Sequence, residues 1–328
     1  MRVLVTGGAG YIGSILCESL IQNGFKVRIL DRFFFGKESI KNIENHPDVE
    51  IVNDDIRYCE SSVMKDIDAV IDLAALSNDP SGELDPEKTM AINFKGRERI
   101  ANLAKSHGVG RYILVSSCSI YGFQDGWLDE SSKTNPLTVY AKANLMAENA
   151  NLAISDKKFS VTCLRLATVY GLSHKMRFDL AINGMVLGLF KNKKIPILRD
   201  GKQFRPFIHV RDASRAFIST LEADTALING QIFNVGSNEQ NYMIFDLAKA
   251  VADAVDLSFE YEWYGSPDNR SYRVKFDKVN KIGFKTKFAS KDGAKEIYNA
   301  LVSGKVTDGL KTITVKWYKH LIEAGVKI

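Results

Sequence analysis

The chain has 328 residues, 45% of them apolar and 25% charged, which allows about two domains with large cores and excludes a small stapled scaffold. Its 44 Lys and Arg against 39 Asp and Glu leave a formal charge of +5, a mild excess that gives nucleic-acid binding no support. Cys17, Cys59, Cys118 and Cys163 are scattered without a C-x-x-C pair, which argues against zinc, iron–sulfur and disulfide frameworks and fits a reducing cytoplasm. No apolar run reaches the roughly 18 residues that span a bilayer, since Leu180 to Phe190 is broken by Asn183 and Gly184. Neither a membrane partner nor a secretory leader is expected, because glycines begin at Gly7, before an apolar stretch of useful length.

Short β-branched runs alternate with helix-length amphipathic stretches through the first half, the order of parallel strands joined by crossover helices. In chain order the expected elements are the strand Arg2 to Thr6, the helix Ile12 to Gln22, and strands Lys26 to Asp31, Val49 to Asn53 and Ala69 to Leu73. A helix around Thr89 to Ser106, the strand Arg111 to Ser116, a polar loop from Gly122 to Thr138, a helix from Val139 to Ala153 and the strand Ser160 to Leu166 follow. Beyond Gly171 the pattern is less regular and contains Phe178 to Phe190, a helix-like Ile208 to Glu222 and the strand Ile232 to Val235. From Ser237 on, helices Ile244 to Val255 and Lys291 to Leu301 surround one strand, Ser258 to Trp263. The expected fold is α/β: a Rossmann-type doubly wound parallel sheet over residues 1–170, with 208–236 returning to it. A smaller mixed α/β substrate domain is expected from 171–207 and 237–328.

Gly7, Gly10 and Gly13 stand between the first strand and first helix, where glycines let a phosphate approach backbone N–H groups at a helix N-terminus. The alternative is a plain turn, but the position after the first strand favours a dinucleotide. Asp31 ends the second strand, 18 residues past Gly13. A carboxylate there accepts from a ribose 2′-hydroxyl and repels a 2′-phosphate, favouring NAD over NADP. Arg32 beside it offers either a phosphate partner or a surface charge.

Several motifs together resemble the extended short-chain dehydrogenase/reductase family, the branch of NAD-dependent nucleotide-sugar epimerases and dehydratases. They are Thr6 to Gly13 with Tyr11 and Ile12, Asp54-Asp55-Ile56, Leu73-Ala74-Ala75, Val115-Ser116-Ser117-Cys118-Ser119-Ile120-Tyr121-Gly122, Tyr140 with Leu145-Met146-Ala147-Glu148, and Arg205 to Asp212. The likeness covers nearly the whole chain. It implies that Asp55 and Ile56 flank the adenine, that Leu73, Ala74 and Ala75 line the cofactor, and that Ser117 and Tyr140 face the sugar carbon that changes oxidation state. It also implies that Asn93 steadies the sheet near the active site.

Hydride exchange at a sugar carbon needs a group that takes and returns the hydroxyl proton. Tyrosine does both, but at its ordinary pKa of about 10 only ~0.1% is phenolate near pH 7, and the family lowers that pKa with a lysine four residues on. Here that position is Asn144, and Lys142 lies roughly 200° round the helix from Tyr140. The expectation is that Asn144 bonds a ribose hydroxyl as part of the cofactor site, and that carbonyl reduction or slow epimerisation is tolerated better than rapid alcohol oxidation. Cys118 and Ser119 stand where water-eliminating relatives place an Asp-Glu pair, which disfavours a 4,6-dehydratase. Cys118 reads as core packing.

On the substrate side the resemblance implies that Arg205 clamps the diphosphate of a nucleotide sugar, a task suited to a planar fork of donors. Arg270 and Arg273, near Asp268, are either further anion-binding groups or a solvated cluster. Ser77, Asn78, Thr168, Arg177 and Asn183 complete the expected substrate contacts, with Phe178 equally a core residue, and His209, flanked by Ile208 and Val210, reads as structural. The implied function is a cytoplasmic NAD-dependent nucleotide-sugar epimerase acting at C4 of a hexose, as a homodimer through the Thr89 to Ser106 and Val139 to Ala153 helices. A ketoreductase or dehydrogenase, or a catalytically impaired NAD- and nucleotide-sugar-binding regulatory protein, are the alternatives.

Overall fold

A computed structural model describes residues 1–268 and 270–328; Asn269, inside the expected anion-binding cluster, lies outside the described residues. Seven parallel strands form the central sheet: β1 (Arg2–Thr6), β2 (Lys26–Asp31), β3 (Val49–Asn53), β4 (Ala69–Asp72), β5 (Arg111–Ser117), then, after a short β6 (Phe123–Leu128), β7 (Ser160–Leu166), and finally, after β8 (Thr168–Tyr170), β9 (Ile195–Leu198) and β10 (Phe204–His209), β11 (Gln231–Val235). Their order is β11-β7-β5-β4-β1-β2-β3. The order reverses between β1 and β4, so a crevice opens beyond their C-terminal ends, where doubly wound sheets bind ligands.

Strand periodicity explains how both faces are covered. Val3 and Val5 of β1 enter one core with Leu16, Cys17 and Leu20 of α1 (Tyr11–Gln22), while Leu4 between them enters the other. That second core is closed by α4 (Arg97–Ser106) and α5 (Val139–Ala153), through Ile100, Ala101, Ala104, Ala143 and Ala147. Before α4 come the single turns α2 (Asp79–Gly82) and α3 (Pro86–Met90), and a π-helical stretch over Ala91–Gly96. The stretch sets Asn93 so that its side chain accepts from Leu76 N at 2.8 Å and donates to Leu76 O at 3.0 Å. These bonds hold the loop beyond β4 at Leu76 and not the sheet itself, which corrects the role expected of Asn93.

The second half holds α6 (Ala181–Asn192), α7 (Val210–Glu222), α8 (Thr225–Ile228), α9 (Ile244–Ala254), α10 (Ser290–Val302) and α11 (Thr314–Glu323), with β12 (Asn241–Met243), β13 (Tyr261–Tyr264) and β14 (Ser271–Val274). Small sheets join β12-β10-β8, β13-β9 and β14-β6. Three expectations need correction. The loop from Gly122 contains β6, which pairs in parallel with β14; its Phe123 and Trp127 are exposed, so it lacks the one-sided apolar alternation that marks a strand in sequence. Ile208 and His209 end a strand rather than begin a helix. Among the described residues the C-terminal part carries three strands rather than one, each of three or four residues.

Among the described residues no helix is long and apolar enough to cross a membrane, and no group of three or more His, Cys, Asp or Glu is placed to hold a metal ion.

Candidate active site

A pocket at the β1/β4 crevice is lined by Gly7, Gly10, Tyr11, Ile12, Gly13, Asp31, Asp55, Ile56, Leu73, Ala74 and Ala75, the expected cofactor residues apart from Tyr140 and Asn144. Gly7 has φ +70°, and a Cβ there would stand 3.0 Å from Ala74 N. A Cβ on Gly13 would stand 2.3 Å from Gly7 O. Glycine is therefore required where β1 turns into α1, and the N-terminus of α1 is left open to a phosphate. Thr6 ties the other wall: its hydroxyl donates to Asp72 and accepts from Leu73 N and Ala74 N, both at 3.1 Å.

Asp31 accepts from Ala9 N at 3.0 Å and Phe33 N at 2.7 Å, leaving each oxygen a further lone pair for a ribose hydroxyl. Burial raises its carboxyl above the ordinary value, and those backbone donors pull it back. Arg32 also lines this pocket, half-exposed, 3.8 Å from Asp55 and over the Phe34 ring. Phe33, Phe34, Phe35, Lys175 and Tyr318 also line the pocket, and sequence reasoning did not select them. Lys175 lies over the Phe35 ring, 3.6 Å from its centre. Burial, with the Arg177 charge adding to it, pushes its ammonium down to about 7.

Next to this pocket, Ser117 ends β5 and its hydroxyl accepts from Ser119 N at 3.1 Å. Tyr140, one turn before Asn144 on α5, has Ser117 and Asn144 among its neighbours, and burial raises the phenol above its ordinary value. Asp79 adds to the rise, while Arg97, Asn144 and Ser117 oppose it. Asn144 is buried on α5; its amide donates to Tyr140 O at 3.1 Å and accepts from Arg97 at 3.0 Å. Cys118 is buried, its thiol pushed up by burial and directed to Arg165 O at 3.3 Å, as core packing requires.

The expected substrate residues divide. Arg177 pairs with Asp179 at 2.7 Å and reaches Ser77 at 3.1 Å, while Asn78 donates to Asp179 at 2.8 Å. Arg205 and Arg270 both grip Asp268, at 2.9 Å and 2.7 Å, and Arg270 also pairs with Asp79, so these arginines converge on one side of the cleft. Thr168 stays half-buried on β8. Asn183 is a correction. It has no exposed surface and commits its amide protons to Tyr11 Oη and Arg177 O and its carbonyl to Gly171 N, which fastens α6 to α1 and leaves no proton for a sugar. Arg273 is held over the Trp127 and Phe204 rings, and Phe178 is core. His209 is structural: Nδ1 accepts from Arg211 N, so Nε2 carries the proton donated to Glu296 at 2.7 Å.

Residues 3–236 match the NAD dependent epimerase/dehydratase family. The chain belongs to that family. It is an NAD-dependent enzyme, and the Gly7 turn, the Asp31 lone pairs and the Ala74–Ala75 wall fit that cofactor. Among curated relatives, it is 28% identical over 312 residues, 90% of this chain and 97% of the other, to a "putative UDP-glucose 4-epimerase" of Methanocaldococcus jannaschii. It is also 28% identical to the mouse dTDP-D-glucose 4,6-dehydratase, over 97% of this chain and 88% of the other. Among solved structures, MoeE5 with UDP-glucuronic acid and NAD superposes with a TM-score of 0.82 at 25% identity, covering 93% of this chain and all of that one. The UDP-glucuronic acid 4-epimerase of Bacillus cereus gives 0.84 at 24% identity over 92% and 99%, a likeness of fold.

Proposed function

We propose that this enzyme is a nucleotide-sugar epimerase working through a transient keto sugar, at C4 of a nucleoside-diphosphate hexose. The carrying observation is that Tyr140 has Ser117 at the end of β5 as a neighbour, with no carboxylate at positions 118 and 119 to eliminate water. Bound NAD supplies hydride acceptance and return at a carbinol carbon. Tyr140 takes the proton of the reacting hydroxyl and later gives it back, and Ser117 holds that oxygen in line. Arg205 and Arg270 take the diphosphate, exchanging part of their hold on Asp268 for it. Ser77, Asn78, Thr168 and Arg177 belong to the same sugar and phosphate subsite in this reading.

The same reading assigns NAD to residues 1–170 with 208–236 and the nucleotide sugar to 171–207 and 237–328, in a homodimer formed through α4 and α5. The epimerase reading is supported by the relative named as a "putative UDP-glucose 4-epimerase". A ketoreductase is the second reading, favoured by one observation: burial keeps the Tyr140 phenol protonated, the form that donates to a carbonyl.

The test is proton NMR of UDP-, dTDP-, GDP- and CDP-hexoses incubated with the enzyme and NAD. A second anomeric signal without NADH, absent in Tyr140→Phe, is expected. Stoichiometric NADH formation or consumption would assign the ketoreductase or dehydrogenase instead, and intact binding without turnover a regulatory protein.

A further inference from the structure

Arg97 lies on the buried stripe of α4 that carries Ile100, Ala101 and Ala104, and is 1% exposed. Its Nε donates to Asp72 Oδ2 at 3.2 Å, its Nη2 to the carbonyl oxygens of Asp72 and Val115, and its Nη1 to Asn144 Oδ1 at 3.0 Å. Asp72 also receives the Thr6 and Tyr112 hydroxyls. A guanidinium has no acceptor, so Asn144 must turn its carbonyl to Arg97 and its NH2 group away. One amide proton then meets the Tyr140 backbone oxygen at 3.1 Å, which holds the amide beside Tyr140, one turn along α5. The orientation of a buried amide, ordinarily ambiguous, is dictated here by a donor-only neighbour.

We propose that Arg97 is a positioning residue which, through Asn144, sets an oriented amide donor backed by a permanent positive charge behind the Tyr140 hydroxyl and so favours its phenolate. The inference rests on Tyr140 as the proton-transferring group of the reaction proposed above. The charged groups around Tyr140 come from three elements: Asp79 of α2 opposes the phenolate, while Arg97 of α4 and Arg177 after β8 favour it. Arginine remains protonated across the accessible pH range, so this support does not titrate away. Asp72 neutralises part of the charge, which leaves the Arg97–Asn144 arm as the directed component. The lack of a cation at position 144 is therefore made good from α4, and a lysine at 144 would press an ammonium against the Arg97 guanidinium.

The phenolate absorbance of Tyr140, taken as the difference between each chain and the same chain carrying Tyr140→Phe, is titrated with and without NAD, alongside thermal melting. Asn144→Leu, which leaves the Arg97–Asp72 pair in place, is expected to raise the phenol pKa by about one unit or more, and Asn144→Gln to recover part of that shift. Asn144→Lys alone is expected to melt well below the parent, and Arg97→Met combined with Asn144→Lys to recover. Arg97→Met alone leaves Asp72 buried without its partner; where it fails to fold, Asn144→Leu decides. An unchanged titration in Asn144→Leu, or an Asn144→Lys chain as stable as the parent with a lowered phenol pKa, would overturn the proposal. Neither readout needs a sugar, so a chain that titrates as expected but turns over no nucleotide sugar removes the epimerase reading and leaves this inference standing.

Discussion

Asp79 and Arg270 form an ion pair across 191 positions of sequence, joining the loop beyond β4 to the segment that enters β14. The same carboxylate accepts from the Thr138 hydroxyl at the start of α5 and raises the Tyr140 phenol. Asp79→Asn keeps the shape and removes the charge, so the phenol pKa falls. Sugar oxidation, which requires the phenolate, then reaches its plateau at a pH lower by up to about one unit. A pH–rate profile of the variant checks this, and an unshifted or more alkaline limb would contradict it.

Lys175 links NAD binding to pH. Its ammonium, pushed down to about 7 in the folded chain, is present below that pH and lost as pH rises through it. A cofactor bearing a pyrophosphate favours the charged form, so NAD is expected to bind more tightly at about pH 6 than at about pH 8.5, with proton uptake near neutrality. Calorimetry in buffers of different ionisation enthalpy measures that uptake, and Lys175→Met removes it. In the free enzyme the sign reverses: with the folded pKa below the unfolded one, this group's contribution to stability improves as pH rises above about 7.

Gly13→Ala puts a methyl against backbone, 2.3 Å from Gly7 O and 2.7 Å from Gly8 Cα, and neither atom can rotate aside. A cost of about 1–3 kcal/mol or more follows, together with loss of NAD binding, because relief of the clash opens the turn that receives the phosphate. Thermal melting with and without NAD reads both effects; a variant that melts like the parent and is still stabilised by NAD would refute the account of this turn.

The first half of the fold was legible because each strand of the sheet writes its two faces in alternation, as Val3, Leu4 and Val5 do, and because the Gly7 to Gly13 turn carries its chemistry in backbone. The strands β6 and β14 were not legible. They pair with each other across some 150 residues of sequence and leave Phe123 and Trp127 exposed, so no local pattern marks them. At the site, the departure at Asn144 is visible in sequence, but the cation that meets it comes from another helix. The one local sign was a charge at position 97 on the stripe of Ile100, Ala101 and Ala104, and only the tertiary contact gives it meaning. Asn183 shows the converse: its motif context marks it as a ligand contact, whereas burial and three hydrogen bonds make it a fastener.

In the proposed epimerisation a hydride leaves C4 of a nucleotide hexose and returns to the opposite face of the same carbon. The most direct measurement is NMR of the product formed in D2O, and separately of the product formed in H2O from a substrate deuterated at C4. The expected product is inverted at C4, takes up no solvent deuterium, retains the substrate's own deuterium and leaves no NADH behind. Solvent deuterium at C5 or C6, or loss of the C4 label, would contradict it and assign elimination or net redox chemistry in its place.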